Sequence, residues 1–543
     1  MKNRLPAFAI CALGLSLAAH AAPPAKGEPD LLWPRSAPSL PGESEGPFDR
    51  LVIEGGTLID GTGAPPVGPV TVVIEKNRIA EIYGLPGMYT AQLPESGKFP
   101  ARPGDRIIDA KGSFILPGLI DNHVRVLDLS VRADAGNQTR LDNSPPDYAL
   151  KLLIAHGVTT IGSMQSLDVM NWAMDMKRQS ELNTITAPNI EVWVDFPART
   201  PQEARAKVQE AKKRGASGLG EGDIEGSLEV MLAGLDEAKK AGLPTYWCLH
   251  DDKTQRMNTL QWARAGMSGW PHEKGLPEAM YEDRSLRAYA PDFNYNDAHH
   301  AMRISRWDGV TPGNEKWNTL LDELLKLDFT LGPTFAVYEA HRDYGGVSRA
   351  EWNDQYLHPA LRRIFMPGDG VYNTEFADWS TADEVVWKGI FRKWMQFVND
   401  YKNRGGRVVA GADVGYYWTT YGFSYIRNFE LLQEAGFSPL EVVRAATLDS
   451  AEFMRIEKET GSVEIGKRAD LLVVDANPLQ NFKVLYGTGT VGTRPDGTIG
   501  RIGGVKYTIK NGVLFDAKKV LANVRAMVVE AEARERATPP AAK

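Results

Sequence analysis

From residue 49 the chain alternates short apolar runs with turn residues. In RLVIEGGTLIDGTGAPPVGPVTVVIEKNRIAEI the β-branched runs break at Gly and Pro, which predicts short antiparallel strands. The pattern returns near the C-terminus as ADLLVVDA (469–476) and VKYTIKNGVLFD (505–516), the second folding back through an Asn-Gly turn. Strands at both ends predict one small β-domain assembled from residues 49–113 and 456–516. Between them lie eight apolar runs: SFILPGLID, GVTTIGSM, NIEVWVD, GASGLGE, GLPTYWCLH, GMSGWPH, FTLGPTF and GRVVAGAD. Amphipathic stretches such as PQEARAKVQEAKKRG and SLEVMLAGLDEAKKAG alternate with them and end at Gly, as helices do. Eight strands alternating with helices predict an α/β architecture, a (β/α)8 TIM-like barrel over residues 114–455, rather than an open sheet. Two connections are long, 273–327 and 335–406, and at the C-terminal face of a barrel they would wall and cover a site. A charged helix begins at 517 and the tail runs to 543, its last residues expected to fray.

The N-terminus has a different pattern. MKNRLPAFAICALGLSLAAHAAPPAKG has a basic start, an apolar run and an A-x-A-like end, the layout of a secretory signal peptide over residues 1–21. This predicts a periplasmic or secreted protein. Residues 22–48, rich in Pro, Gly, Ser and Glu, read as a disordered linker. No later stretch is apolar for long enough to span a membrane. A formal net charge of -7 gives no electrostatic footprint for nucleic acid. Of the two cysteines, Cys11 lies in the signal segment and Cys248 is left alone, so no internal disulfide is expected.

Strands of a parallel barrel are normally apolar throughout, so polar residues at their ends carry information. Four predicted strand ends bear His or Asp: His123, His250, His272 and Asp413. On a barrel these ends converge on one mouth, and imidazole with carboxylate suits zinc, iron, manganese or nickel. Aromatic residues crowd the long loops: Tyr281, Tyr289, Phe293, Tyr295 and Trp307, then Tyr416, Tyr417, Trp418 and Tyr421. Such a wall would fit a ligand with a ring or apolar portion, although most of these rings are expected simply to pack the loops. His299 and His300 are expected to hydrogen-bond or face solvent. Glu273 and Lys274 follow His272 directly, where they would line the pocket.

Read in order, GGTLIDGTG, IIDAKGSFILPGLIDNH, HGVTTI, GADVG, ATLDSAEFM and GSVEIGKRADLLVVDANP resemble the amidohydrolase superfamily, in particular secreted bacterial amidohydrolases related to imidazolonepropionase and prolidase-like members. The motifs run from about residue 50 to 515. The resemblance implies a metal-bearing barrel with a β-sandwich made from both chain ends. It also implies hydrolysis of carbon–nitrogen bonds other than ordinary peptide bonds, a small-molecule substrate and a homo-oligomer. The family pattern is His-x-His on the first strand, often a carboxylated Lys on the fourth, His on the fifth and sixth, and Asp on the eighth. Carried over, His123, His250, His272 and Asp413 hold the metal, with Asp413, His272 and Arg125 in the catalytic roles. Two positions depart from the pattern. Gly220 stands where a bridging lysine would, so one metal ion is expected, zinc first, with iron or manganese as alternatives. Arg125 stands in place of the second histidine; it cannot donate a lone pair and keeps its charge at physiological pH. Either it turns away, toward an acidic residue such as Glu221 in GEGDIEG, or it takes the cation's place and pairs with Asp413. The second case leaves a metal-free relative that binds a small anionic or aromatic ligand.

Overall fold

The computed structural model describes residues 36–84, 99–126, 146–220, 227–248, 254, 256–281, 307, 309–366, 379–415, 417–494 and 496–537. Its first six strands are β1 (Ser44–Glu45), β2 (Arg50–Leu58), β3 (Val67–Glu75), β4 (Arg78–Tyr83), β5 (Arg106–Asp109) and β6 (Phe114–Pro117). Eight parallel strands follow: β7 (Leu119–Val124), β8 (Val158–Gln165), β9 (Asn189–Val194), β10 (Gly218–Gly220), β11 (Thr245–Tyr246), β12 (Gly269–Pro271), β13 (Thr330–Gly332) and β14 (Arg407–Val408). The last five are β15 (Leu471–Val474), β16 (Thr490–Thr493), β17 (Ile499–Ile502), β18 (Val505–Lys510) and β19 (Val513–Asp516).

One nine-stranded sheet runs β1-β19-β18-β15-β6-β2-β3-β4, with β5 added to β2, so it draws on both ends of the chain. Successive side chains of a strand face opposite ways, and β2 buries both faces. Leu51, Ile53 and Leu58 join Val72, Ile74, Leu471 and Ile509 in one apolar cluster, while Val52 packs with Val73, Tyr83 and Phe99 in another.

The eight parallel strands form one sheet in sequence order, β7 to β14, curled like a TIM barrel. Each predicted strand run contributes to it, but the first divides. Phe114–Pro117 pairs with β15 and β2 in the nine-stranded sheet, and only Leu119–Val124 enters the parallel one. The break falls at Gly118, where any Cβ would collide with Thr159. β7 forms a seam with the segment that follows β14: the Asn122 amide donates to the Ala410 carbonyl at 3.1 Å, the Asp413 amide donates to the His123 carbonyl at 3.0 Å, and Val124 bridges Val414. Ile120, Met164, Trp193 and Tyr246, from β7, β8, β9 and β11, pack with Val409 after β14 and Phe453 into an apolar cluster.

The predicted helices form over Pro201–Arg214 and Leu228–Ala241. Thr200 and Ser227 cap their first turns, and Gly215 and Gly242 end them in the left-handed conformation. The long connection after β13 carries the helices Phe335–Ser348 and Thr381–Asn403, and the final helix spans Ala517–Ala537. Among the described residues no helix is long and apolar enough to cross a membrane.

The linker reading of residues 22–48 needs correction from Ser36 onward. β1 pairs with β19, the Ala37 amide donates to the Asp147 carboxylate, and the Ser39 amide donates to the Thr184 carbonyl. Glu43 is fully buried and accepts from Lys151 Nζ at 2.6 Å, Thr186 Oγ1 at 2.7 Å and Asn523 Nδ2 at 2.8 Å. Composition pointed to disorder because the segment lacks an apolar run. It is ordered because its polar groups find buried partners far away in sequence. Residues 1–35, and with them the signal segment, lie outside the described residues.

Candidate metal centre

Four side chains meet near the seam between β7 and the segment after β14. His123 is near the end of β7 and Arg125 just beyond it; His272 follows β12; Asp413 lies in the segment after β14. The Asp413 carboxylate is the hub. Its Oδ1 is 3.3 Å from His123 Nε2 and accepts from Arg125 Nε at 3.0 Å, while Oδ2 is 3.5 Å from His272 Nε2. All four residues are buried, none more than 5% exposed. The rings of His123 and His272 lie 5.4 Å apart, and His123 rests edge-on against Tyr246 of the apolar cluster below.

Both His272 and Asp413 have left-handed backbones, with φ of 69° and 48°. Non-glycine residues held there cost about 1–3 kcal/mol each, and such strain concentrates at functional sites. Here it turns two side chains at once toward the same point. The His272 ring is fixed from behind, where Nδ1 meets the Thr334 hydroxyl and leaves Nε2 facing Asp413. His123 and Asp413 are tied through Asp121, whose Oδ1 accepts from the His123 and Ala412 amides, each at 3.1 Å. Burial pushes the Asp121 carboxyl up to about 8 despite those two donors.

Burial alone would raise Asp413, but its electrostatic interactions with His123, Arg125 and His272 outweigh that and hold the carboxyl well below the usual range. Burial drives His272 well below its ordinary value, more than Asp413 restores, so its imidazole is neutral at pH 7 and able to act as a ligand.

The donor set fits a divalent metal. His123, His272 and Asp413 offer one ligand atom each, all within 4.8 Å of one another. Two ligand atoms bound tetrahedrally at about 2.0–2.2 Å stand about 3.3–3.6 Å apart, and each histidine lies that far from one Asp413 oxygen, His123 from Oδ1 at 3.3 Å and His272 from Oδ2 at 3.5 Å. A second, bridged ion has no support at Gly220, because a Cβ there would collide with Met164 and Trp193. Arg125 pairs directly with Asp413, one of the two placements expected for it, while Glu221 of the other lies outside the described residues.

The remaining expectations divide. His250, Glu221, Asp223, Glu225, Tyr289, Phe293, Tyr295, His299, His300 and Tyr416 lie outside the described residues. Glu273 accepts from the indole N–H of Trp307 at 2.9 Å, and that ring packs against Trp317 and Phe397 as a loop anchor. Tyr421 is buried and donates to the Arg125 carbonyl at 2.7 Å, and Trp418 donates to Tyr344. Sequence reasoning missed Asp121, Thr334, and the rings of Tyr338 and His341. Tyr338 lies 5.3 Å from His272, and His341 continues from it to Trp387 and Tyr417. Asp121 and Thr334 were open to the strand-end argument that found the histidines; Tyr338 and His341, inside a helix, offered no such signal.

Comparison with known proteins agrees with this picture. A sequence profile of the Amidohydrolase family matches residues 393–513. Adenine deaminase 2 of Rhizobium etli is 34% identical over 172 residues, 28% of this chain and 24% of that protein. Imidazolonepropionase of Brevibacillus brevis is 33% identical over 87 residues, 16% of this chain and 17% of the enzyme. The chain thus spans about a quarter or less of the length of these curated relatives. Solved structures align over far more of it. A bottromycin amidohydrolase superposes with a TM-score of 0.58 at 16% identity over 90% of both chains. An Xaa-Pro dipeptidase with bound methionine gives 0.56 at 18% identity over 86% of this chain and 100% of its own. At such identities these likenesses speak for the fold. The family match over residues 393–513, the partial relatives and the motifs from Gly55 to Pro478 together support the amidohydrolase superfamily as what this chain resembles.

Proposed function

We propose that the chain is a hydrolase of carbon–nitrogen bonds in small amide-type or dipeptide-like substrates, with one divalent metal, zinc by preference, at the meeting point of His123, His272 and Asp413. The observation that carries the reading is the convergence of those three buried groups from three separate strand ends. His250 is the fourth ligand in this reading, and the seam between β7 and the segment after β14 is taken as closure of the barrel. A bound divalent ion would supply Lewis acidity and lower the pKa of water. The chain's own groups do the rest. Asp413, ionised at neutral pH, takes the proton of the attacking water on a carboxylate oxygen and delivers it to the leaving nitrogen. Thr334 keeps the His272 ring oriented, and Arg125 keeps Asp413 oriented. The developing oxyanion lies within the field of the Arg125 guanidinium.

Elemental analysis of protein purified without added metal, with a screen of N-acyl amino acids, dipeptides and cyclic amides, tests this. About one metal per chain and turnover that fails in Asp413→Asn and His272→Ala are expected. Metal-free protein with no turnover after zinc, iron or manganese is supplied would overturn the reading.

The resemblance in the first residues supports a periplasmic or secreted location as part of the proposal. Fractionation of cells expressing a C-terminally tagged chain checks it, since a full-length cytoplasmic product would remove that part.

A further inference from the structure

We propose that Arg125 is the resident cation of this centre: its guanidinium holds the Asp413 carboxylate in place without a metal, and by occupying that oxygen it loosens the site's hold on a divalent ion. The inference rests on the reading of His123, His272 and Asp413 as a metal site. One oxygen carries the argument. Asp413 Oδ1 faces His123 Nε2 at 3.3 Å and accepts from Arg125 Nε at 3.0 Å, so the guanidinium draws on the same carboxylate an ion would use. Arg125 cannot deprotonate to make way, and it has no lone pair to offer.

Nor is it free to leave. It follows Val124, which bridges Val414 at the seam, its carbonyl accepts from the buried Tyr421 hydroxyl, and the residue is 5% exposed. Without a cation beside it Asp413 would be a buried carboxylate with no full charge to compensate it, an arrangement that burial penalises severely. Arg125 removes that penalty permanently. The metal-free site is therefore already assembled, and an arriving dication meets a positive charge within contact range of its ligand.

Wild type, Arg125→Gln, Arg125→Lys and Arg125→His are compared as full mature chains, stripped with chelator and titrated with zinc, with melting followed in chelator and in zinc. Wild type and Arg125→Lys are expected to gain much less melting temperature from zinc than Arg125→Gln does. Arg125→Gln is expected to melt lower in chelator, recover in zinc, and bind zinc at least about tenfold more tightly than wild type. A merely structural arginine would weaken zinc binding when removed. Equal or weaker zinc affinity in Arg125→Gln, with an unchanged melting temperature in chelator, overturns the proposal. If Arg125→Gln is recovered only when expressed with zinc, that supports it. If it is recovered under neither condition, Arg125→His decides, tighter zinc supporting the proposal and equal or weaker binding refuting it. Wild type that takes no zinc while Arg125→Gln gains it supports this role for Arg125 and separately defeats the metal-dependent function proposed above.

Discussion

At the scale of single residues, the site depends on side chains that never reach its centre. Thr334 meets Nδ1 of His272 and leaves Nε2 as the nitrogen facing Asp413. Partners of this kind behind a ligating histidine are typically worth about 10–100-fold in metal affinity. Thr334→Val is therefore expected to weaken zinc binding by about that factor with little change in melting temperature, and Thr334→Ser to retain most of it; competition titration with a zinc chelator measures both. The histidines and the aspartate were legible in the sequence because a polar residue at the end of an apolar strand is conspicuous. Their orientation was not legible. The left-handed backbones of His272 and Asp413 leave no trace in residue type, since neither position is a glycine.

Among the elements, the segment that enters the fold at Ser36 behaves as a strap. Glu43 joins three distant parts of the chain: Lys151 in the helix after β7, Thr186 ahead of β9, and Asn523 in the final helix. Burial pushes the Glu43 carboxyl upward, but the donors from Lys151, Asn523, Thr186 and Leu40 outweigh it and hold the group below its ordinary value. Glu43→Ala leaves the Lys151 ammonium buried without its partner and is expected to cost about 3–5 kcal/mol, read from urea unfolding at pH 7. A folded-state pKa below the unfolded value gives a contribution that is complete above the unfolded carboxylate pKa of about 4.3 and fades as pH falls through the lowered folded value. The gap between wild type and Glu43→Ala should therefore be full at pH 7 and narrow on acidification below about pH 4. The strap was illegible because each of its partners is more than a hundred residues away.

Over the whole molecule, the nine-stranded sheet is fastened by polar groups of β18 to the helices that follow β7 and β8, Asp147–Ala155 and Met170–Glu181. Thr508 Oγ1 donates to the Ile154 carbonyl at 2.7 Å, and the buried Lys510 ammonium donates to the Ser180 carbonyl at 2.5 Å. Burial, only partly offset by Asp470, pulls Lys510 down to about 7. Between that value and the unfolded lysine pKa of about 10.4, the unfolded chain binds a proton that the folded chain has released. Stability from this group therefore rises with pH across that window, by at most about 1.4 kcal/mol per unit. Lys510→Met is expected to flatten the rise, and unfolding free energies of both proteins at pH 7, 8 and 9 check it.

The sequence by itself determined the family resemblance, the eight parallel strands and the strand ends that bear chemistry, because hydrophobic period, Gly/Pro punctuation and motif order are properties of the chain. It also placed an arginine where the resemblance expects a second histidine. Only the tertiary structure showed that arginine on Asp413. That pairing depends on a seam between residues nearly three hundred positions apart, on two strained backbones and on Tyr421 behind the arginine's carbonyl. Contacts of that separation are set by packing and by where a buried charge can be compensated, and no local pattern in the sequence encodes either.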